Sequence, residues 1–267
     1  MFKGFYGLSD NYFEKSVPVK NCFQSKDFKE MVSRLRYVAD TRGIAVFTSP
    51  TGGGKTYALR SFAETINQNL HQMTYICFTS VSAIQFYQQL CSVLGIERSS
   101  SKSVMFSAIQ AQLLALYKSR KPLVLAIDEA HDLDTRILKD IKMIMNHSYD
   151  SVNTFTLVLV AEPHFNDTLE KPVHESLRQR ITVHYNFEGL SADETAAYIT
   201  HKLEMAGASA SIMGEGTFSA IHGYSKGRPR LVDSLMTEIL PLGAQLGNAT
   251  IDTEIVLAAI NNVRVQS

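Results

Sequence analysis

The apolar run Ile44-Ala45-Val46-Phe47 passes almost directly into Ser49-Pro50-Thr51-Gly52-Gly53-Gly54-Lys55-Thr56, and a helix-forming stretch follows. Strand, glycine-rich loop and helix in that order separate a phosphate loop from a chance match. Three consecutive glycines let backbone N–H groups turn inward around a polyphosphate, where a Cβ would obstruct them. Lys55 is placed to reach the β- and γ-phosphates and Thr56 to offer its hydroxyl to Mg²⁺, while the helix N-terminus adds its dipole. The pattern G-x-x-x-x-G-K-[ST] is met except at its first position, where Ser49 stands in place of glycine. Pro50, Thr51, Gly52, Gly53, Gly54, Lys55, Thr56 and the following Tyr57 are therefore the candidate nucleotide-binding residues.

A second motif, Leu123-Val124-Leu125-Ala126-Ile127-Asp128-Glu129-Ala130-His131, is an unbroken apolar run with two acids at its end. Such a run reads as a strand buried on both faces, as in a parallel sheet. Asp128 at its C-terminal end belongs with Thr56 as a Mg²⁺-ordering group, and Glu129 is placed to polarise an attacking water. Glu162 closes the next apolar strand, 155–160, at a position that neighbours a γ-phosphate in a parallel sheet. Arg178 and Arg180 precede the fifth strand, and the reading places them on the same edge of the sheet as the other site residues. An arginine there can complete a neighbouring subunit's site. Gly227-Arg228-Pro229-Arg230 puts two cations at a helix start, against the helix dipole, which suggests service to an anion.

Strands are expected at 43–48, 73–79, 123–127, 155–160 and 181–187, with helices between them. This alternation predicts a five-stranded parallel α/β sheet covered on both faces. Beyond Leu190 no strand is expected. Ser191-Ala192-Asp193-Glu194 reads as a capping box, and three further helical segments follow. The division predicted is a nucleotide-binding domain over 1–190 and an all-helical module over 191–267.

Composition narrows the remaining classes. Net charge is zero, with 26 basic and 26 acidic residues, which argues against an obligate, strongly basic nucleic-acid binder. Residues 1–60 nevertheless hold ten Lys/Arg against five Asp/Glu, chiefly Lys15, Lys20, Lys26, Lys29, Arg34, Arg36 and Arg42. A solvated helix face and a phosphate-backbone contact both explain that excess. No apolar stretch reaches the roughly 18 residues of a membrane helix, and the N-terminus lacks a secretion signal. Three scattered cysteines lack metal-ligand spacing and fit a reducing cytoplasm, with Cys77 and Cys91 expected as small buried hydrophobes.

In their order along the chain, Ser49–Thr56, Asp128-Glu129, Leu177-Arg178-Gln179-Arg180-Ile181 and Gly227–Arg230 resemble the motifs of AAA+ ATPases. Phe5-Tyr6-Gly7-Leu8 with Phe13, and Asp128-Glu129-Ala130-His131, are similar to the ExeA-like group, which includes transposition target-selection ATPases of the MuB, TniB and TnsC kind. The resemblance implies a P-loop AAA+ fold with a small helical C-terminal lid, and ATP hydrolysis, which an acid at Glu162 beside the γ-phosphate would make slow and partner-stimulated. By it, Lys55 and Thr56 are Walker A residues, Asp128 and Glu129 Walker B, Arg180 or Arg178 the arginine finger and Arg230 sensor 2. Ser49 and Glu162 depart from the pattern, the latter standing where a neutral polar residue is usual. Because no membrane span or peptidoglycan-binding region follows the helical module before Ser267, the expected role is a cytoplasmic oligomeric switch. ATP at subunit boundaries would assemble a ring or filament on double-stranded DNA, through non-specific phosphate contacts, and recruit a transposase. The alternative is a switch that assembles a protein complex such as secretion machinery without DNA. A small-molecule kinase is disfavoured by the adjacent Asp-Glu pair and the arginines of the helical module.

Overall fold

A computed structural model of the 267-residue chain describes residues 2–10, 13–14, 18–77, 79–146 and 152–266, with backbone alone at 20 and 264–266. Lys15 lies outside the described residues, as does the side chain of Lys20. By backbone proximity the chain divides into two compact units. One comprises residues 30–49 and 55–187, the other residues 1–29, 50–54 and 188–267.

The first unit is built on five strands: β1 (Ile44–Thr48), β2 (Gln72–Ile76), β3 (Leu123–Ile127), β4 (Phe155–Ala161) and β5 (Ile181–Asn186). Their spatial order is β2-β3-β4-β1-β5, and every pairing is parallel. The three inner strands are buried at every residue, which is why they read as continuous apolar runs. The edge strands β2 and β5 are only partly covered and carry Thr, Tyr and His among their apolar residues. Helices Lys55–Thr65, Ala83–Val93, Lys102–Lys118 and Thr135–Met145 connect the strands. Ser82 caps the second of these with a reciprocal bond to Gln85, and Asp134 caps the fourth. Phe86, Tyr87, Ile109, Ile137 and Phe165 pack with Ile44, Leu125 and Leu157 in one core. Cys91 is buried as expected, but Cys77 is exposed because it follows the last residue of edge strand β2.

Parallel pairing sorts the loops by sheet edge. Thr48 lies opposite Ala161 and Ile127 opposite Leu159, so Ser49, Asp128 and Glu162 all leave the C-terminal edge. Ile181 lies opposite Ile44 at the strands' beginnings. Arg178 and Arg180 therefore belong to the opposite, N-terminal edge. This corrects the expectation that they share an edge with the phosphate loop. A residue preceding a parallel strand cannot stand beside one that follows its neighbour.

The second unit is helical: Ala192–Met205, Thr217–Ser225, Pro229–Gln245 and Thr253–Gln266. The capping box predicted at Ser191 and Glu194 is present in full. Residues 1–29, assigned from sequence to the nucleotide-binding domain, belong by proximity to this unit. Tyr6, Leu8 and Phe13 share its core with Tyr198, Ile199, Leu235 and Ile239. The Tyr6 hydroxyl donates to the carbonyl of Asn248 at 2.8 Å.

A buried ion pair crosses this core. Lys202 Nζ lies 2.7 Å from Asp233 Oδ1, and the Tyr198 hydroxyl donates to the same carboxylate at 2.9 Å. Burial pushes the Lys202 ammonium below and the Asp233 carboxyl above their ordinary ranges, so the bond between them opposes the desolvation of both. Asp233→Ala leaves an uncompensated buried ammonium, and an expected loss of about 3 kcal/mol follows. The urea midpoint checks it. Because desolvation is the cause, the double variant Lys202→Met, Asp233→Leu is expected to recover most of that loss, and failure to recover any would contradict this account.

Candidate functional site

Each unit contributes part of the glycine-rich loop. In the helical unit, the N–H of Gly53 donates to the carbonyl of Pro50 at 3.1 Å, closing a turn. Gly52 and Gly54 have φ of +81° and +99°, where an L side chain is strained. A Cβ on Gly52 would also lie 2.7 Å from Cβ of Arg230. The Arg230 backbone N–H donates to the Gly52 carbonyl at 3.2 Å, so the predicted arginine stands against the glycines. Its place is fixed by Gly227, where a Cβ would fall 2.2 Å from the carbonyl oxygen of Leu190. Arg228 turns away, donating through Nε to the carbonyl of Ser225 at 3.3 Å. Pro50 and Thr51 are exposed.

In the sheet unit, Ser49 is buried and lies outside the left-handed region, so no glycine is required there. The departure from the loop pattern carries no conformational penalty. Lys55 and Thr56 open helix Lys55–Thr65. The buried Lys55 ammonium donates to the carbonyl of Ser49. Tyr57 is half-buried, with the Arg60 guanidinium 4.8 Å from its ring centre.

Asp128 is the most heavily bonded residue of the site. It is buried, and its Oδ2 accepts from the Thr56 hydroxyl at 2.8 Å and the Tyr75 hydroxyl at 3.0 Å. Its Oδ1 accepts the N–H of Glu129 at 3.0 Å. Sequence reasoning missed Tyr75, because the pairing of β2 with β3 that brings the ring to Asp128 leaves no local signal. Burial, then the Asp128 charge and hydrogen bond, raise the Tyr75 phenol well above its ordinary value, so it stays a donor. Glu129 is different: its side chain is half exposed and its backbone is left-handed, with φ 51° and ψ 40°. The Thr79 hydroxyl holds the Glu129 carbonyl at 3.0 Å. One acid is thus locked against Thr56, and its neighbour is presented to solvent.

Glu162 follows β4, and its N–H donates to Nδ1 of His131 at 3.3 Å. His131 was singled out only as part of a motif, and His164 not at all. Arg178 donates to the carbonyl of Glu170 at 3.1 Å and is exposed, while Arg180 is half-buried.

These residues fit a magnesium ion with a nucleotide. A hydroxyl and a carboxylate face each other at hydrogen-bond distance, and the chain immediately before them carries two glycines held at positive φ. Oxygen donors of this kind suit a hard dication.

Residues 38–169 match a family model described as an AAA domain. General secretion pathway protein A of Aeromonas hydrophila is 27% identical over 243 residues, which is 90% of this chain and 44% of that protein. This chain thus spans less than half of that relative's length. Among solved structures, Cdc6p from Pyrobaculum aerophilum has a TM-score of 0.69 at 16% identity, covering 91% of this chain and 68% of that one. The ORC1 protein of Aeropyrum pernix, solved in complex with DNA, has a TM-score of 0.63 at 16% identity, covering 97% and 69%. At such identities the likeness concerns the fold.

Proposed function

We propose that this chain, whose residues 38–169 match an AAA domain and whose fold is of the P-loop AAA+ α/β kind, binds Mg·ATP and hydrolyses it to ADP and phosphate. The observation that carries this reading is the Thr56 hydroxyl on the Asp128 carboxylate, 2.8 Å apart. Mg²⁺, held by that pair when bound, offsets charge on the β- and γ-phosphates. Lys55 exchanges the Ser49 carbonyl for phosphate oxygens, a better partner for a buried ammonium. Glu129, fixed in its backbone and free to face solvent, takes the proton of the attacking water. Arg230 reads the phosphates cradled by the glycines it stands against. Arg180 or Arg178, on the opposite sheet edge, serves the phosphates of a neighbouring copy, which makes the working form a ring or helical filament. The acid Glu162 near the γ-phosphate repels it, so turnover is slow and stimulated by a partner.

The relative named General secretion pathway protein A supports a switch that assembles or remodels a protein complex such as secretion machinery. The second reading is a cytoplasmic switch on duplex DNA that supports a transposase. Lys29 and Arg36 favour it, exposed on helix Lys26–Thr41. The patch is smaller than its charge count suggests, since Lys26 pairs with Glu188 and Arg34 with Glu30. Calorimetry tests the shared premise: absence of magnesium-dependent ATP uptake by folded protein removes both readings. ATP-dependent binding of duplex DNA that weakens steeply with salt selects the second, and its absence selects the first.

A further inference from the structure

Two carboxylates and two imidazoles meet at the C-terminal ends of β3 and β4. One ligand-capable atom from each of Glu129, His131 and Glu162 lies within 4.8 Å of the other two. His131 Nδ1 is 3.6 Å from Glu129 Oε2. Donor atoms about 2.1 Å from a tetrahedral ion stand about 3.4 Å apart, so this pair is nearly at bonding separation. Nδ1 accepts the Glu162 N–H, a bond that a cation at this nitrogen replaces. Nε2 faces Asp132 Oδ1 at 3.8 Å, on the side where a carboxylate can orient a ligating imidazole. His164 Nδ1 lies 3.8 Å from Glu162 Oε2, and its ring meets that of His131 edge-on with centres 4.7 Å apart.

The imidazole of the cluster is confined by its surroundings. His131 is 12% exposed. Glu129 occupies a left-handed backbone conformation, which a non-glycine residue rarely adopts.

We propose that Glu129, His131 and Glu162 form a second divalent-cation site, distinct from the Thr56–Asp128 pair, with His164 near enough to ligate or to orient Glu162. One imidazole with two carboxylates suits a borderline first-row ion, Mn²⁺, Co²⁺ or Zn²⁺, more than Mg²⁺. The site deepens the hydrolase reading and rests on it for one consequence: a Glu129 committed to a cation cannot accept a proton, so occupancy arrests hydrolysis. It also gives Glu162 a reason to be an acid.

The test is Co²⁺ titration of metal-free, nucleotide-free protein, followed by calorimetry and by visible absorption. One equivalent is expected to bind with an imidazole-ligand spectrum. Glu162→Gln and His131→Gln are each expected to weaken it at least tenfold, and Thr56→Val to leave it within threefold. Loss of Co²⁺ in Thr56→Val would place the ion in the magnesium site and overturn the proposal, as would unchanged binding in the other two variants. Should either variant misfold, the wild-type spectrum decides: nitrogen ligation supports the site and an all-oxygen spectrum rejects it. Co²⁺ binding without ATP binding removes the hydrolase reading and keeps the site; ATP binding without Co²⁺ does the reverse.

Discussion

Glu129→Gln is expected to lower kcat for ATP hydrolysis by on the order of 10²-fold or more while ATP still binds. Glutamine keeps the shape of the side chain and its place after Asp128, but it cannot accept a proton from water. The side chain is half exposed and lies beside the His131 ring, so ground-state binding is not expected to depend on it. Removing a negative charge near the γ-phosphate also lifts some repulsion, and affinity is expected to hold or rise slightly. Single-turnover hydrolysis beside equilibrium ATP binding separates the two effects. Turnover at the wild-type rate would remove Glu129 from its role as base.

Lys55→Ala is expected to weaken ATP binding by roughly 10²-fold, the consequence of losing charge-assisted bonds worth about 3 kcal/mol. The ammonium is buried at the start of the helix that follows the glycines, so its removal takes away the cation placed for the phosphates. Lys55→Met keeps the volume without the charge and is expected to lose the same affinity. A variant that unfolds early in a thermal melt would reflect packing, so the Met variant carries the comparison. Tight ATP binding by a folded Lys55→Met protein would contradict the phosphate-loop assignment.

The interior of the sheet was legible because burial on both faces writes itself as uninterrupted Val, Leu, Ile and Ala, as at Leu123–Ile127 and Phe155–Ala161. Helix starts were legible where a side chain caps locally, as at Ser82 and Ser191. The loop and its acid were legible because each lies within a few residues of a strand end. What depends on register was not. The Tyr75 hydroxyl on Asp128 and the His131 ring under Glu162 follow from which strands lie side by side. The sheet edge holding Arg178 and Arg180 was misjudged for the same reason, since the end from which β5 enters is set by pairing with Ile44. The Lys202–Asp233 pair is invisible for another cause: each residue reads as an ordinary surface charge until the helices around it close.

Tyr6 and Asn248, joined by a hydrogen bond, are 242 positions apart. On a ribosome adding roughly 5–20 residues per second, the aromatic segment near the start waits ten seconds or more for the helices that shelter it. The sheet has all its strands once Asn186 emerges, whereas the helical core also needs residues as far along as Ile260. The apolar side chains of Tyr6, Leu8 and Phe13 stay uncovered through that interval, and a chaperone that engages nascent chains would find a client sequence there.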